Sequence, residues 1–237
     1  MRTSRMLTAT AATALAAPLV WADERPGLVV AVDNLWPTMD PVIGISTTGA
    51  RVHSNIFDTL VRRNRWEDPN GTDLVPWLAE SWTRKSDLVW EFKIREGVPF
   101  HDGHILDAED VAFSLSEERL WGPEPLARRG TRYVRGFVRV EATGPYTLEI
   151  ETSYPDPNLP YRMVTPIGFV LPKHHYEAVG TDAFGQMPIG TGPYKMTFFD
   201  PSVAVEAEAF DAYWAGPVPA ASLKFEIVPE FSPRFAG

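Results

Sequence analysis

The 237 residues contain no cysteine. No disulfide can form, so the fold must rest on its own core. The residue on which a bacterial lipid anchor is built after export is missing too. Basic side chains are in deficit, with 22 Lys and Arg against 31 Asp and Glu and a formal charge of −9. That balance disfavours an electrostatic grip on nucleic acid or anionic lipid. After the first 22 residues no apolar run approaches the ~18 residues of a membrane-spanning helix. There is no internal repeat and no low-complexity tract. H-E-x-x-H, C-x-x-C, an acidic calcium loop, a phosphate loop and a G-x-S-x-G elbow are all absent, which removes the usual signatures of metalloproteases, redox proteins, nucleotide hydrolases and serine hydrolases.

What is present is ordinary globular composition, 44% hydrophobic and 22% charged. The length allows one large domain or two small ones. The 22 prolines and 17 glycines are spread along the chain and exclude a coiled coil or a long-helix bundle. The 8 Trp, 7 Tyr and 13 Phe supply flat apolar surface for a core or a cleft.

Residues 1–22 read as a secretory signal peptide. Arg2 and Arg5 give the positive start, Leu7 to Val20 the apolar stretch, and Val20-Trp21-Ala22 the cleavage site. As a membrane anchor the stretch is too short and too weakly apolar. Without an adjacent Arg-Arg pair a twin-arginine route is not expected. The mature chain is then expected to be soluble outside the inner membrane, most simply in a periplasm.

Leu28 to Val32 is a continuous, mostly β-branched run, which predicts a strand buried on both faces. A loop with Trp36-Pro37 and Asp40-Pro41 follows. Thr48 to Val61 reads as a helix, with Val52, Ile56 and Leu60 on one face and N-caps on offer from Ser46 to Thr48. In Val89 to Arg95 apolar and charged residues alternate, the mark of a half-buried strand. His101-Asp102-Gly103 is a turn, and Asp107 caps a helix with Asp110 at its third position. Phe137 to Glu151 reads as a hairpin through Thr143-Gly144-Pro145. Pro172 opens a short helix that Gly180 closes. Two alternating strands follow, one around Val203, Val205 and Ala207, the other around Leu223, Phe225 and Ile227. The mixture predicts α/β or α+β.

Candidate chemistry is thin. His101, His104 and the pair His174-His175 lack the three or four convergent ligands of a metal centre and read as surface or capping residues. Glu109-Asp110 and Glu117-Glu118 read as solvated helix faces rather than paired catalytic acids. No catalytic residue, metal site or cofactor is expected. Gly190-Thr191-Gly192-Pro193-Tyr194 is the most distinctive short run; it reads as a tight turn entering a strand, whether or not it lines a site. Trp36 follows directly on a buried strand, where open α/β sheets bind ligands; a ligand-facing role and plain packing both remain open for it.

Taken in order, several segments resemble one family. Leu78-Ala79-Glu80-Ser81-Trp82, the run from Val89 to Gly103, Leu106 to Ser114, Pro188 to Tyr194, Ala212-Tyr213-Trp214 and Leu223-Lys224-Phe225 are similar to the motif series of extracellular solute-binding proteins of the dipeptide/oligopeptide/nickel type, family 5. The likeness covers nearly all of 28–237. It implies a two-lobed periplasmic-binding-protein type II-like fold, here truncated to the first lobe plus an inserted subdomain. The division would be 23–50 as the opening segment of the first lobe, 51–165 as the β-rich insert, and 166–237 as the returning, incomplete segment of the first lobe, the second lobe missing. The implied role is the substrate-binding component of an ABC importer. Such a protein captures di- or oligopeptides, or a nickel chelate or oligosaccharide, as a monomer and hands them to permease subunits in the inner membrane. In peptide-binding members the acid that holds the peptide's amino terminus lies in the second lobe, so no residue here inherits that role. The first-lobe cleft candidates are Trp36, Met39, Thr191 and Gly192. A periplasmic hydrolase and a non-functional relic are the competing readings.

Overall fold

The computed structural model describes residues 25–64 and 67–228; the expected signal peptide and the run after Val228 lie outside them. Two four-stranded sheets carry the architecture, and each has its own apolar core. The first contains β1 (Gly27–Val32), β8 (Tyr194–Asp200), β9 (Ala204–Ala209) and β10 (Ser222–Ile227), in the order β1-β10-β9-β8, with β1 parallel to β10 and the other pairs antiparallel. Alternation sets its inner face: Val205, Ala207, Leu223 and Phe225 point inward with Tyr194 and Met196. Against them pack Val52 and Ile56 of α1 (Thr47–Ile56), with Tyr176 and Phe184 of α4 (Lys173–Gln186).

The second sheet is antiparallel, β4 (Ala79–Arg84), β5 (Val89–Ile94), β7 (Thr147–Thr152) and β6 (Phe137–Gly144) in that order. The expected alternation holds: Phe92, Ile94, Leu148 and Ile150 are buried. The helix that covers them, α2 (Ala108–Ser114), starts as the sequence demands. Asp107 accepts from the Glu109 and Asp110 amides, and Asp110 returns a bond to the Asp107 amide, closing a capping box. A hairpin of β2 (Val61–Arg63) and β3 (Leu74–Pro76) links this unit to α1, and α3 (Leu159–Arg162) leads back towards the first sheet.

Several expectations are corrected. α1 begins at the cap Ser46, as anticipated, but ends at Ile56; Phe57 turns extended, and Leu60 and Val61 enter the core from the connection into β2 and its first residue instead. α1 also runs unbroken across the expected boundary at residue 50 and packs on the first sheet. β1 is not buried on both faces. Leu28, Val29 and Val30 are 49%, 67% and 37% exposed, because the elements packed on β8–β10 reach only Val32. Gly180, with φ +80° and ψ 168°, does break the short helix as expected, and a second helical stretch follows directly within the span of α4. Asp110 is no solvated face residue. It is 3% exposed and also accepts from the Lys173 amide.

Candidate functional site

A cavity of about 740 Å³ lies where α1 leaves the first sheet for the second unit. One wall is the outward face of α1, whose Thr47, Ala50, Arg51 and Ser54 follow the helical spacing. The opposite wall is the β2–β3 hairpin, with Arg62, Arg63, Val75 and, just beyond it, Trp77. Phe57, Pro166 and Phe169 close the back. An apolar cavity of this size with a few polar groups has the character of a small-molecule site.

The charge of the lining is one-sided. Among the described residues its three ionisable side chains are Arg51, Arg62 and Arg63, and no carboxylate lines it. Arg62 lies over the Trp77 ring at 3.8 Å and 3.8 Å from the buried Asp58. Arg63 donates to the Gly71 carbonyl. Arg51 stands exposed on α1 with no side-chain partner among the described residues.

Behind the cavity is a joint built on Asp58, which is 1% exposed. Its Oδ1 accepts from Trp77 Nε1 (2.6 Å) and Tyr213 OH (3.2 Å), and its Oδ2 from Trp214 Nε1 (3.0 Å) and Thr191 Oγ1 (3.2 Å). Burial pushes this carboxyl up against the lowering pull of the two indoles, Arg62 and Thr191. The Tyr213 hydroxyl is also pushed up, first by burial and then by the Asp58 charge. The Gly190–Tyr194 run is clasped on its other side by His101. Nδ1 accepts from the Gly190 amide (3.1 Å) and so leaves Nε2 to donate to the Gly192 carbonyl (2.9 Å). His101 is therefore a buried structural residue, not the surface or capping one expected, and burial lowers its pKa to about 4.

The four expected site residues are not brought together around the cavity, and none of them lines it. Trp36 is half-buried in the loop after β1, with the Arg129 guanidinium 4.4 Å from its ring centre. Met39 is buried in the core of the first sheet, held by a bond from its amide to the Gly185 carbonyl. Thr191 is fully buried on Asp58. Gly192 donates its amide to the Ile56 carbonyl, and a Cβ there would stand 2.6 Å from that carbonyl carbon. The sequence reading missed the arginines and Trp77. The signal on offer was the basic run Arg62-Arg63-Asn64-Arg65 inside an acidic chain.

No group of three or more His, Asp or Glu among the described residues could hold a metal. His174 instead pairs with Asp102 (2.7 Å) and packs its ring on His104. Among these residues no helix is long and apolar enough to cross a membrane.

Comparison with known proteins agrees with this layout. Residues 73–237 match the model described as bacterial extracellular solute-binding proteins, family 5 Middle. A binding protein from A. tumefaciens R10, solved with mannopinic acid, superposes with a TM-score of 0.78 at 27% identity, over 88% of this chain and 42% of that one. NikZ from Campylobacter jejuni, solved with Ni(L-His), gives 0.76 at 29%, over 89% and 41%. Among curated proteins, the glutathione-binding protein GsiB of Shigella flexneri is 28% identical over 88% of this chain and 38% of its own. The HTH-type transcriptional regulator SgrR of Yersinia enterocolitica is 32% identical over 75% and 29%. The chain thus spans about three- to four-tenths of the length of these relatives, and its mixed α/β fold is that of type II-like periplasmic binding proteins over that stretch. Since the matched stretch is well over half the chain and the fold agrees with it, the protein belongs to the bacterial extracellular solute-binding proteins of family 5.

Proposed function

We propose that this chain is the solute-recognising portion of an exported receptor for an ABC importer. It captures a small solute of the peptide class and presents it to permease subunits in the inner membrane. The observation that carries the reading is the cavity between α1 and the β2–β3 hairpin. It is roomy, apolar at the back, polar at the rim, and lined by no nucleophile–base pair and no paired carboxylates. Capture without chemistry needs no more than that. Main-chain hydrogen bonds and water-filled pockets would give affinity tolerant of side-chain sequence. Trp36, beside Arg129 at the C-terminal end of β1, is the one sequence candidate with surface left to meet a solute. Met39, Thr191 and Gly192 would act through the framework that holds the cavity.

Intrinsic fluorescence tests the reading, because Trp77 lines the cavity. Titration with a library of di- to pentapeptides is expected to give saturable changes for a subset. Turnover of peptides or glycosides would replace the receptor by a hydrolase, and no saturable ligand in the library would remove the peptide class.

A further inference from the structure

The cavity's charge says which solutes it should take. Arg51, Arg62 and Arg63 converge on it from two walls, in a chain whose acids outnumber its bases 31 to 22. Chance placement in such a chain would favour carboxylates, yet among the described residues none lines this space. The acids nearest in sequence are committed elsewhere. Asp58 is buried behind the wall on its four donors. Glu67 bonds to Asn64, and Asp68 takes the amides of Asn70, Thr72 and Asp73 in the loop beyond the hairpin. Of the three guanidinium groups, Arg62 is partly neutralised by Asp58 and held flat on Trp77. Arg63 has only a neutral carbonyl, and Arg51 has no partner among the described residues. Among the described residues Arg51 is thus left without a counter-charge at the cavity rim, and Arg63, which also borders Asp68 and Gly71 on the loop side of the hairpin, makes no ion pair within 4 Å. A guanidinium presents its donors as a planar fork that suits a carboxylate.

We infer that the cleft selects a small solute carrying a carboxylate beyond any it owes to a peptide terminus, with its apolar body against Trp77, Phe57 and Phe169 and its acid on Arg51 and Arg63. This rests on the solute-binding reading proposed for the same cavity. Acidic peptides and other acidic small molecules share the required chemistry.

The test uses three isosteric or near-isosteric dipeptides, Phe-Glu, Phe-Gln and Phe-Lys, titrated against the 237-residue protein by calorimetry and Trp fluorescence. Phe-Glu is expected to bind about tenfold or more tighter than Phe-Gln, since a charge-assisted bond outweighs a neutral one. Phe-Lys is expected to bind more weakly still, and raising salt should narrow the spread. Arg51→Gln should erase most of the Phe-Glu preference, and Arg51→Lys should keep some of it; circular dichroism checks that both fold. A carboxylated hexose in place of Phe-Glu separates the sources: tighter binding of the sugar acid assigns the acid to a non-peptide solute. Equal affinities for the three dipeptides, or preference for Phe-Lys, would overturn the inference while leaving a solute cleft in place. Saturable binding of none of the probes, and of no peptide in the wider library, would take down the solute-binding reading itself.

Discussion

Asp58 is the residue on which replacement should report most clearly. Each carboxylate oxygen carries one indole N–H and one hydroxyl: Trp77 and Tyr213 on Oδ1, Trp214 and Thr191 on Oδ2. That uses the full accepting capacity of an ionised carboxylate. Asp58→Ala leaves all four donors without their acceptor. The hydroxyls can rotate to other partners, but an indole N–H cannot. Two stranded indoles at about 1–3 kcal/mol each, reduced because both tryptophans are only half-buried, put the cost at about 3–4 kcal/mol. Asp58→Asn discriminates further. Whichever way its amide is turned, the NH2 group faces one indole donor and a hydroxyl that can rotate to accept. One indole is stranded, so the expected cost is about 1–2 kcal/mol. Had burial driven Asp58 to its protonated form near neutral pH, Asn would mimic it and cost almost nothing. Urea unfolding followed by Trp fluorescence measures all three proteins. An Ala variant within 1 kcal/mol of the parent, or an Asn variant no better than Ala, would refute the donor bookkeeping.

Further outcomes follow from the same geometry. The ion pair of Arg119 with Asp40 is fully buried, so Arg119→Met should destabilise by about 3–5 kcal/mol in urea melts, and adding Asp40→Asn should recover some of it. Burial holds both His53 and His101 near a pKa of about 4, below the unfolded value of about 6.5. The unfolded chain then binds more protons in that window. Their contribution is complete above pH 6.5 and is lost as pH falls towards 4, by about 2 kcal/mol each at pH 5. Calorimetric melts at pH 5, 6 and 7 should show the slope, and His53→Leu should reduce it. Gly190→Ala would put a Cβ 2.1 Å from the Ile56 carbonyl oxygen; a loss of about 2–3 kcal/mol is expected, and an unchanged Tm would show that α1 can move aside.

How much of this was legible depended on how local the controlling physics is. The Asp107 capping box, the Ser46 cap and the alternation through Phe92 and Ile94 were readable because each is settled within a turn or a strand of its own residues. The end of α1 was not. Val52, Ile56 and Leu60 keep the helical spacing, but Phe57 turns extended (φ −123°, ψ 154°), which presents Asp58 to two tryptophans 19 and 156 residues away. Tertiary pairing overrode a sound periodicity. β1 erred in the opposite direction. Its apolar run implied burial on both faces; the strand does form, parallel to β10, yet burial needs covering layers, and those among the described residues reach only Val32. His101 was misjudged because nothing in His101-Asp102-Gly103 reveals that the Gly190–Gly192 backbone will close on both ring nitrogens.

The candidate site divides along the same line. Motifs that carry the family resemblance, the Gly190–Tyr194 turn and Tyr213-Trp214, meet Asp58 together with Trp77, just ahead of the Leu78 motif, and His101, within Val89 to Gly103, clasps the same turn. They build the joint between the first sheet and the second unit, and backbone closeness there leaves little choice: glycine at 190 and 192, donors at 77, 191, 213 and 214. The discrimination proposed for the cavity falls instead on the outward face of α1 and the edge of β2, where Arg51 and Arg63 are exposed. Of the residues that a motif-guided reading singles out, Met39 and Thr191 are buried. The positions proposed to choose a solute, Arg51 and Arg63, carry no motif, and only the fold brings them to one cavity.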